Sequence, residues 1–127
     1  QFDLCIIDTP PAAPEWLAEA LGAADLVLIP VRPSPDDLRA VGATIAAVNA
    51  ARVPFAFALS QTPRAKITEE AARVLAQHGR VAPVNIAQRV SYAETGATGQ
   101  GVIETTDDKA GAEIAAVWDY VKGILDG

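Results

Sequence analysis

Residues 24–38 read ADLVLIPVRPSPDDL, and this stretch decides the fold. The run "LVLIPV" (26–31) is short and apolar throughout, the pattern of a parallel strand covered on both faces. A helix start follows at once. Ser34 is placed to cap it, and Pro35 takes the first helical position, where a missing N–H costs nothing. Asp36 and Asp37 face the positive end of the helix dipole. Beyond them Leu38, Val41, Ile45 and Val48 recur at helical spacing and form one apolar face. A buried strand that turns directly into an amphipathic helix is the building unit of parallel α/β sheets.

Working outward, the alternation repeats. "LCIID" (4–8), "FAFALS" (55–60) and "APVNI" (82–86) predict three further strands. "PEWLAEALGAA" (14–24) predicts a helix, opened by Pro14 and Glu15 and stopped near Gly22. "TEEAARVLAQHG" (68–79) predicts another, with acids in its first turn, His78 in its last and Gly79 as its stop. Residues 88–105, with Gly96, Gly99 and Gly101, predict an irregular loop carrying one helical turn at "SYAETG". A closing helix begins near Asp107. Ile114, Val117, Trp118, Val121 and Leu125 line its inner side, and Thr105 with Asp108 resembles a capping box. The expected fold is α/β, a parallel sheet with helices on both faces, in a single domain over 1–127.

Composition narrows the class. Of 127 residues half are apolar and 20% charged, a globular balance. No apolar run approaches the ~20 residues of a membrane span. One cysteine excludes an internal disulfide and leaves too few thiols for a zinc site, which suits a cytoplasmic setting. The net charge of −6 argues against a strong nucleic-acid binder, but its distribution is uneven. Residues 52–90 carry six bases (Arg52, Arg64, Lys66, Arg73, Arg80, Arg89) against Glu69 and Glu70, while both flanks are acidic. Most such runs are solvated faces without a partner.

In parallel sheets chemistry gathers at the carboxyl ends of the strands. That rule selects Asp8–Pro11, Val31–Ser34, Ser60–Arg64 and Ile86–Arg89. A carboxylate directly after an apolar strand is the Walker B arrangement, able to hold a magnesium-bound water beside nucleotide phosphates. Asp8 has that position. Thr9 adds a hydroxyl, and Pro10 and Pro11 make a stiff, extended exit.

"FDLCIIDTPP" followed by "ADLVLIPVRPSPDDL" resembles the ParA/MinD family of deviant-Walker P-loop ATPases. The likeness continues through "FALSQTPR", "VAPVNIAQRVSYAE", "GATGQGVIE" and the closing helix, and its spacings are most like the small plasmid-type partition ATPases. The resemblance implies a P-loop NTPase-like sheet with Asp8 at the magnesium site and in the catalytic centre. Thr9, Pro10 and Pro11 correspond to the switch that senses the γ-phosphate. Ser60 stands where many members carry an Asn that bonds adenine, and its hydroxyl makes only one donor contact. Gln61 lies beside it, and the loop containing Asn85 and Gln88 is where the family wraps base and ribose. The resemblance also implies an ATP-bridged homodimer, a stimulating partition-site or adaptor protein, and DNA binding without sequence preference. Arg64, Lys66 and Arg89 are the candidates for that DNA contact.

The family's glycine-rich phosphate loop and its lysines are missing. The glycines at 96–101 include no Lys and follow no strand. Two explanations stand: the carboxyl-terminal part of a longer bacterial ATPase, or a naturally short relative. An opening two residues before a central strand favours the first. ATP and magnesium then belong to the parent protein, and the chain by itself binds neither and is inactive. Without the phosphate-loop strand, residues 4–8 would present an unpaired apolar edge prone to association.

Other readings are blander or rival. Cys5 reads as core, His78 as a helix-end cation, and Trp16 and Trp118 as core-facing. Asp36–Asp37, Asp107–Asp108 and Glu69–Glu70 read as helix-start acids. The rival functions are a bacterial tyrosine kinase, whose tyrosine-rich tail is absent from "KGILDG", a cobyrinic-acid-type ligase, and a non-catalytic pseudo-ATPase module.

Overall fold

The computed structural model describes residues 2–10 and 14–127, with Pro14 and Glu15 described by backbone alone. Among the described residues three strands alternate with helices and two helices close the chain: α1 (Pro14–Ala23), β1 (Val27–Val31), α2 (Pro35–Ala51), β2 (Phe55–Leu59), α3 (Lys66–Ala76), β3 (Arg80–Val81), α4 (Val90–Thr98) and α5 (Asp108–Asp126). A 3-10 turn, Val102–Glu104, joins the last two. The strands form one parallel sheet in the order β1-β2-β3. The chain is therefore α/β with a parallel sheet, as its strand-to-helix units demand.

Register places the core. Val27, Ile29 and Val31 sit opposite Phe55, Phe57 and Leu59, and in-register partners of a parallel pair share a face. That face meets Leu21 of α1, Val41 and Val48 of α2, and Ala71 and Leu75 of α3. Phe57, Leu59, Leu75 and Val48 are fully buried, each such side chain contributing about 1.5–3 kcal/mol by its removal from water. The α2 start forms as its sequence directs. Ser34 is extended, and its hydroxyl accepts from the Asp37 N–H at 3.2 Å, a cap that contributes about 1 kcal/mol.

The opposite face is uneven. Ala56 and Ala58 are buried, whereas Leu28 and Pro30 beside them are exposed. The Val27 N–H bonds the Pro54 carbonyl, so Val27, Ile29 and Val31 turn their backbone groups toward β2. Leu28 and Pro30 therefore face the open edge, where Pro30 has no N–H to leave unpaired.

Several expectations are corrected. Residues 4–8 form no strand. They run irregularly and exposed, with Leu4 at 46% and Ile6 at 83% of full exposure, and Cys5 is exposed rather than core. An apolar run becomes a buried strand only beside another strand's backbone, and none of the described strands pairs with it. Pro11 of the same motif lies outside the described residues. The strand at 82–86 is likewise not formed. Pairing covers Arg80–Val81 and resumes only as a bridge between Thr62 and Ala87: the Ala82 N–H bonds the Phe57 carbonyl, but the Leu59 carbonyl takes the Ile86 N–H where a regular ladder would take that of Val84, so the chain bulges away between them. Residues 90–98 form helix α4 rather than a loop, closed by Gly99 in the left-handed region at φ 71°. Asp107, not a Thr105–Asp108 box, caps α5 by accepting from the Ala110 N–H at 3.1 Å. Trp16, Trp118 and Leu125 are exposed rather than core-facing, while Val117 is buried. Among the described residues no helix is long and apolar enough to cross a membrane.

Candidate functional site

Three chain segments leave the carboxyl end of the sheet and converge. The first follows β1. Arg32 forms a two-pronged ion pair with Asp37, Nε to Oδ2 at 2.9 Å and an η nitrogen to Oδ1 at 3.0 Å, and its backbone N–H donates to the same carboxylate. The Arg32 donors hold the Asp37 carboxyl below the usual carboxylate range. The turn 31–37 is thus closed by a fork whose geometry only arginine offers. Ser34 N–H donates to the Arg32 carbonyl at 2.8 Å and tightens it further.

The second segment follows β2. Ser60 N–H donates to the Val31 carbonyl at 2.9 Å, tying the two strand ends together. Gln61 then adopts φ 50°, in the left-handed region. A non-glycine residue held there is strained and commonly sits at functional positions. Thr62 is buried, and both its N–H and its hydroxyl donate to the Ile86 carbonyl.

The third segment is the loop after β3. Ile86 N–H reaches the Leu59 carbonyl at 2.9 Å, and Gln88 N–H reaches the Thr62 carbonyl at 3.2 Å. Glu113 of α5 holds this loop from the other side. It accepts from the Ala87 N–H at 2.6 Å and pairs with the Arg89 guanidinium. The adjoining contacts carry this docking into α4. The Ser91 hydroxyl donates to Asp107 at 2.7 Å, and the Tyr92 hydroxyl donates to the Ala110 carbonyl at 3.2 Å. Burial raises the Tyr92 phenol, with the Glu113 charge adding to the effect.

Between the segments lies an open crevice of about 300 Å³, lined by Arg32, Pro33, Ser34, Asp36, Asp37, Gln61, Pro63 and Gln88. Two of the residues selected from sequence, Gln61 and Gln88, come together here. Ser60 stands half-buried at the strand end behind them. Asn85 is exposed on the same loop and does not line the crevice. Asp8, Thr9 and Pro10 are exposed in the irregular segment and are not part of the lining either. Arg64 and Lys66 are exposed at the start of α3. The Arg89 side chain is only 28% exposed, its guanidinium engaged by Glu113.

Arg32, Ser34 and Glu113 were not singled out for the site from sequence. The first two belong to a stretch that the strand-end rule did select, but Ser34 already had a complete explanation as a helix cap. Glu113 had no local signal, since its partners lie 24 and 26 residues away.

The lining offers amide and hydroxyl groups, the carboxylates of Asp36 and Asp37, and a guanidinium already paired with Asp37, donors and acceptors suited to a flat polar ring system or a sugar. Among the described residues no three His, Cys, Asp or Glu side chains come together as metal ligands. Asp8 offers a single exposed carboxylate, and the 127 residues contain no glycine-rich lysine loop. No protein-family model matches this chain, and no curated protein matches it.

Proposed function

We propose that this chain carries the base-recognising side of a nucleotide site, as part of a ParA/MinD-type ATPase that dimerises on ATP and positions DNA or another large cargo. The observation that carries the reading is the open crevice at the carboxyl ends of β1 and β2, which Gln61, with its positive φ, and Gln88 both line. Ligands of parallel sheets bind at that end. Side-chain amides are the groups that read the edges of a nucleobase by paired donor and acceptor contacts. In this reading Asp8 and Thr9 approach the phosphates and magnesium only alongside a phosphate loop that these residues do not supply. Arg64 and Lys66, exposed and without a crevice contact, are the better placed of the basic residues for a DNA surface, and Arg89 serves the fold of the loop.

Titration with adenosine, ADP and ATP, followed by backbone and side-chain amide NMR, tests this. Adenosine and ATP are expected to shift the Gln61 and Gln88 signals with similar millimolar affinity, about −4 kcal/mol. Magnesium is expected to make little difference. The absence of any shift at the crevice in ~10 mM ligand, a tenfold excess over that affinity, sinks the proposal. Micromolar binding that depends on magnesium and the γ-phosphate sinks the division of labour in it.

A further inference from the structure

We infer that Glu113, on α5, is the positioning residue of the crevice: it fixes the loop 86–89 from behind and so sets where the Gln88 side chain stands. This rests on the preceding reading only for what the crevice binds, and not for the positioning itself.

One carboxylate engages residues on both sides of Gln88. Oε2 accepts from the Ala87 N–H at 2.6 Å, and Oε1 takes the Arg89 guanidinium. Arg89 is extended, at φ −136° and ψ 141°. In extended chain successive side chains point to opposite sides. With Arg89 directed at α5, Gln88 is directed away from it, and Gln88 is found lining the crevice. The loop's other fixings all come from the β2 side. The Ile86 N–H bonds the Leu59 carbonyl, the Thr62 N–H and hydroxyl bond the Ile86 carbonyl, and the Gln88 N–H bonds the Thr62 carbonyl. Those bonds hold the loop to the end of β2, and none of them comes from α5. Glu113, with its side chain 12% exposed, supplies the constraint from the α5 side. Its charge is compensated there by Arg89, so loss of either partner leaves a largely enclosed group unpaired. The closing helix thereby takes part in the site without touching a ligand.

Amide hydrogen exchange on the ligand-free protein tests this with Glu113→Ala and Glu113→Gln. In Glu113→Ala the Ala87 and Gln88 amides are expected to exchange about tenfold faster or more, the loss of one charged acceptor. The Gln88 side-chain amide signal is expected to shift, while the Ala56 and Phe57 amides of β2 keep their protection. Glu113→Gln retains one acceptor for Ala87 and is expected to fall between Glu113→Ala and the unaltered protein. Unchanged Ala87 and Gln88 exchange overturns the inference. So does a uniform loss of protection that includes β2, which would mark Glu113 as a general stabilising group. In the adenosine titration Glu113→Ala is expected to bind about tenfold more weakly, and equal affinity overturns the link between loop and crevice. Failure of the unaltered protein to bind adenosine removes the nucleotide reading instead, and the exchange pattern and the Gln88 shift still decide the inference.

Discussion

Gln61 and Arg52 share an unusual positive φ, and comparing them separates function from fold. Arg52 lies at φ 56° and ψ 33° as the C-cap of α2, and Gln61 lies at φ 50°. An L-residue in this region is disfavoured by roughly 1–2 kcal/mol. Glycine removes that cost but loses about 0.5–1 kcal/mol more conformational freedom on folding. The net gain expected from either substitution to glycine is about 0.5–1 kcal/mol. With a urea m-value of roughly 1–3 kcal/mol/M, that moves the unfolding midpoint upward by about 0.2–1 M. The two residues differ in place. Arg52 precedes β2, at the amino end of the sheet, while Gln61 follows it and lines the crevice. Arg52→Gly is therefore expected to stabilise without altering adenosine binding. Gln61→Gly is expected to stabilise to the same extent and to weaken binding by about 2–10-fold, the loss of one neutral hydrogen bond. Gln61→Ala keeps the strain, so it should weaken binding equally and gain no stability. Urea melts and the NMR titration give both quantities on the same samples. The reasoning fails if Gln61→Gly destabilises the chain by more than ~1 kcal/mol, since the side chain would then serve the fold. It fails equally if binding is unchanged, since the position would then be a turn and no more.

Two further outcomes follow from packing and charge. A Cβ built at Gly79 falls 2.6 Å from Cε2 and 2.9 Å from Cζ of Phe55, whose ring packs edge-on to Phe57 at 5.5 Å. Gly79→Ala is expected to cost about 1–2 kcal/mol as the ring is displaced, and a Phe55→Val background should remove most of that cost. Equal costs in both backgrounds would refute the clash as its cause. Acid stability depends on two depressed carboxyls. Arg32 hydrogen bonds lower Asp37, and the Ser91 hydroxyl, followed by the Ala110 N–H, lowers Asp107. A folded-state pKa below the unfolded value stabilises above the ordinary carboxylate range near ~3.9 and is lost as pH falls through the folded value. Urea midpoints should therefore drop below about pH 4, and less steeply in an Asp37→Asn/Asp107→Asn double variant. Parallel curves for the two proteins would place the acid sensitivity elsewhere.

What was legible in the sequence was whatever one segment specifies by itself. The passage from β1 to α2 contains its own strand run, cap, first-turn proline and acids, and the structure forms it as written, Ser34 to Asp37 included. The "FAFALS" strand and the closing helix were legible for the same reason, since a five-residue buried run and a long 3.6-residue period need no distant information. Errors arose where the outcome depends on a neighbour. "LCIID" carries a strand's composition but finds no partner strand among the described residues, and "APVNI" leaves the ladder after Ala82, the Leu59 carbonyl being met by Ile86 instead of Val84. Trp118 keeps helical spacing yet faces outward, because periodicity fixes a stripe and not what covers it.

The site follows the same division, which explains why its least legible residue is the one given the positioning task. Gln61 and Gln88 were reachable because a topological rule, that chemistry gathers at strand ends, converts chain position into location without knowledge of side-chain contacts. Glu113 was not reachable, since nothing in "DKAGAEIAAVWDY" sets it apart from a solvent-facing helical acid. Its identity as a clamp comes from the loop it meets, 24 to 26 residues earlier in the chain. The contrast has a physical origin. Residues that present groups to a ligand are constrained by where the backbone ends, which local pattern encodes. Residues that hold those groups in place are constrained by packing between distant segments, and one acid among many on a helix face carries no local trace of it.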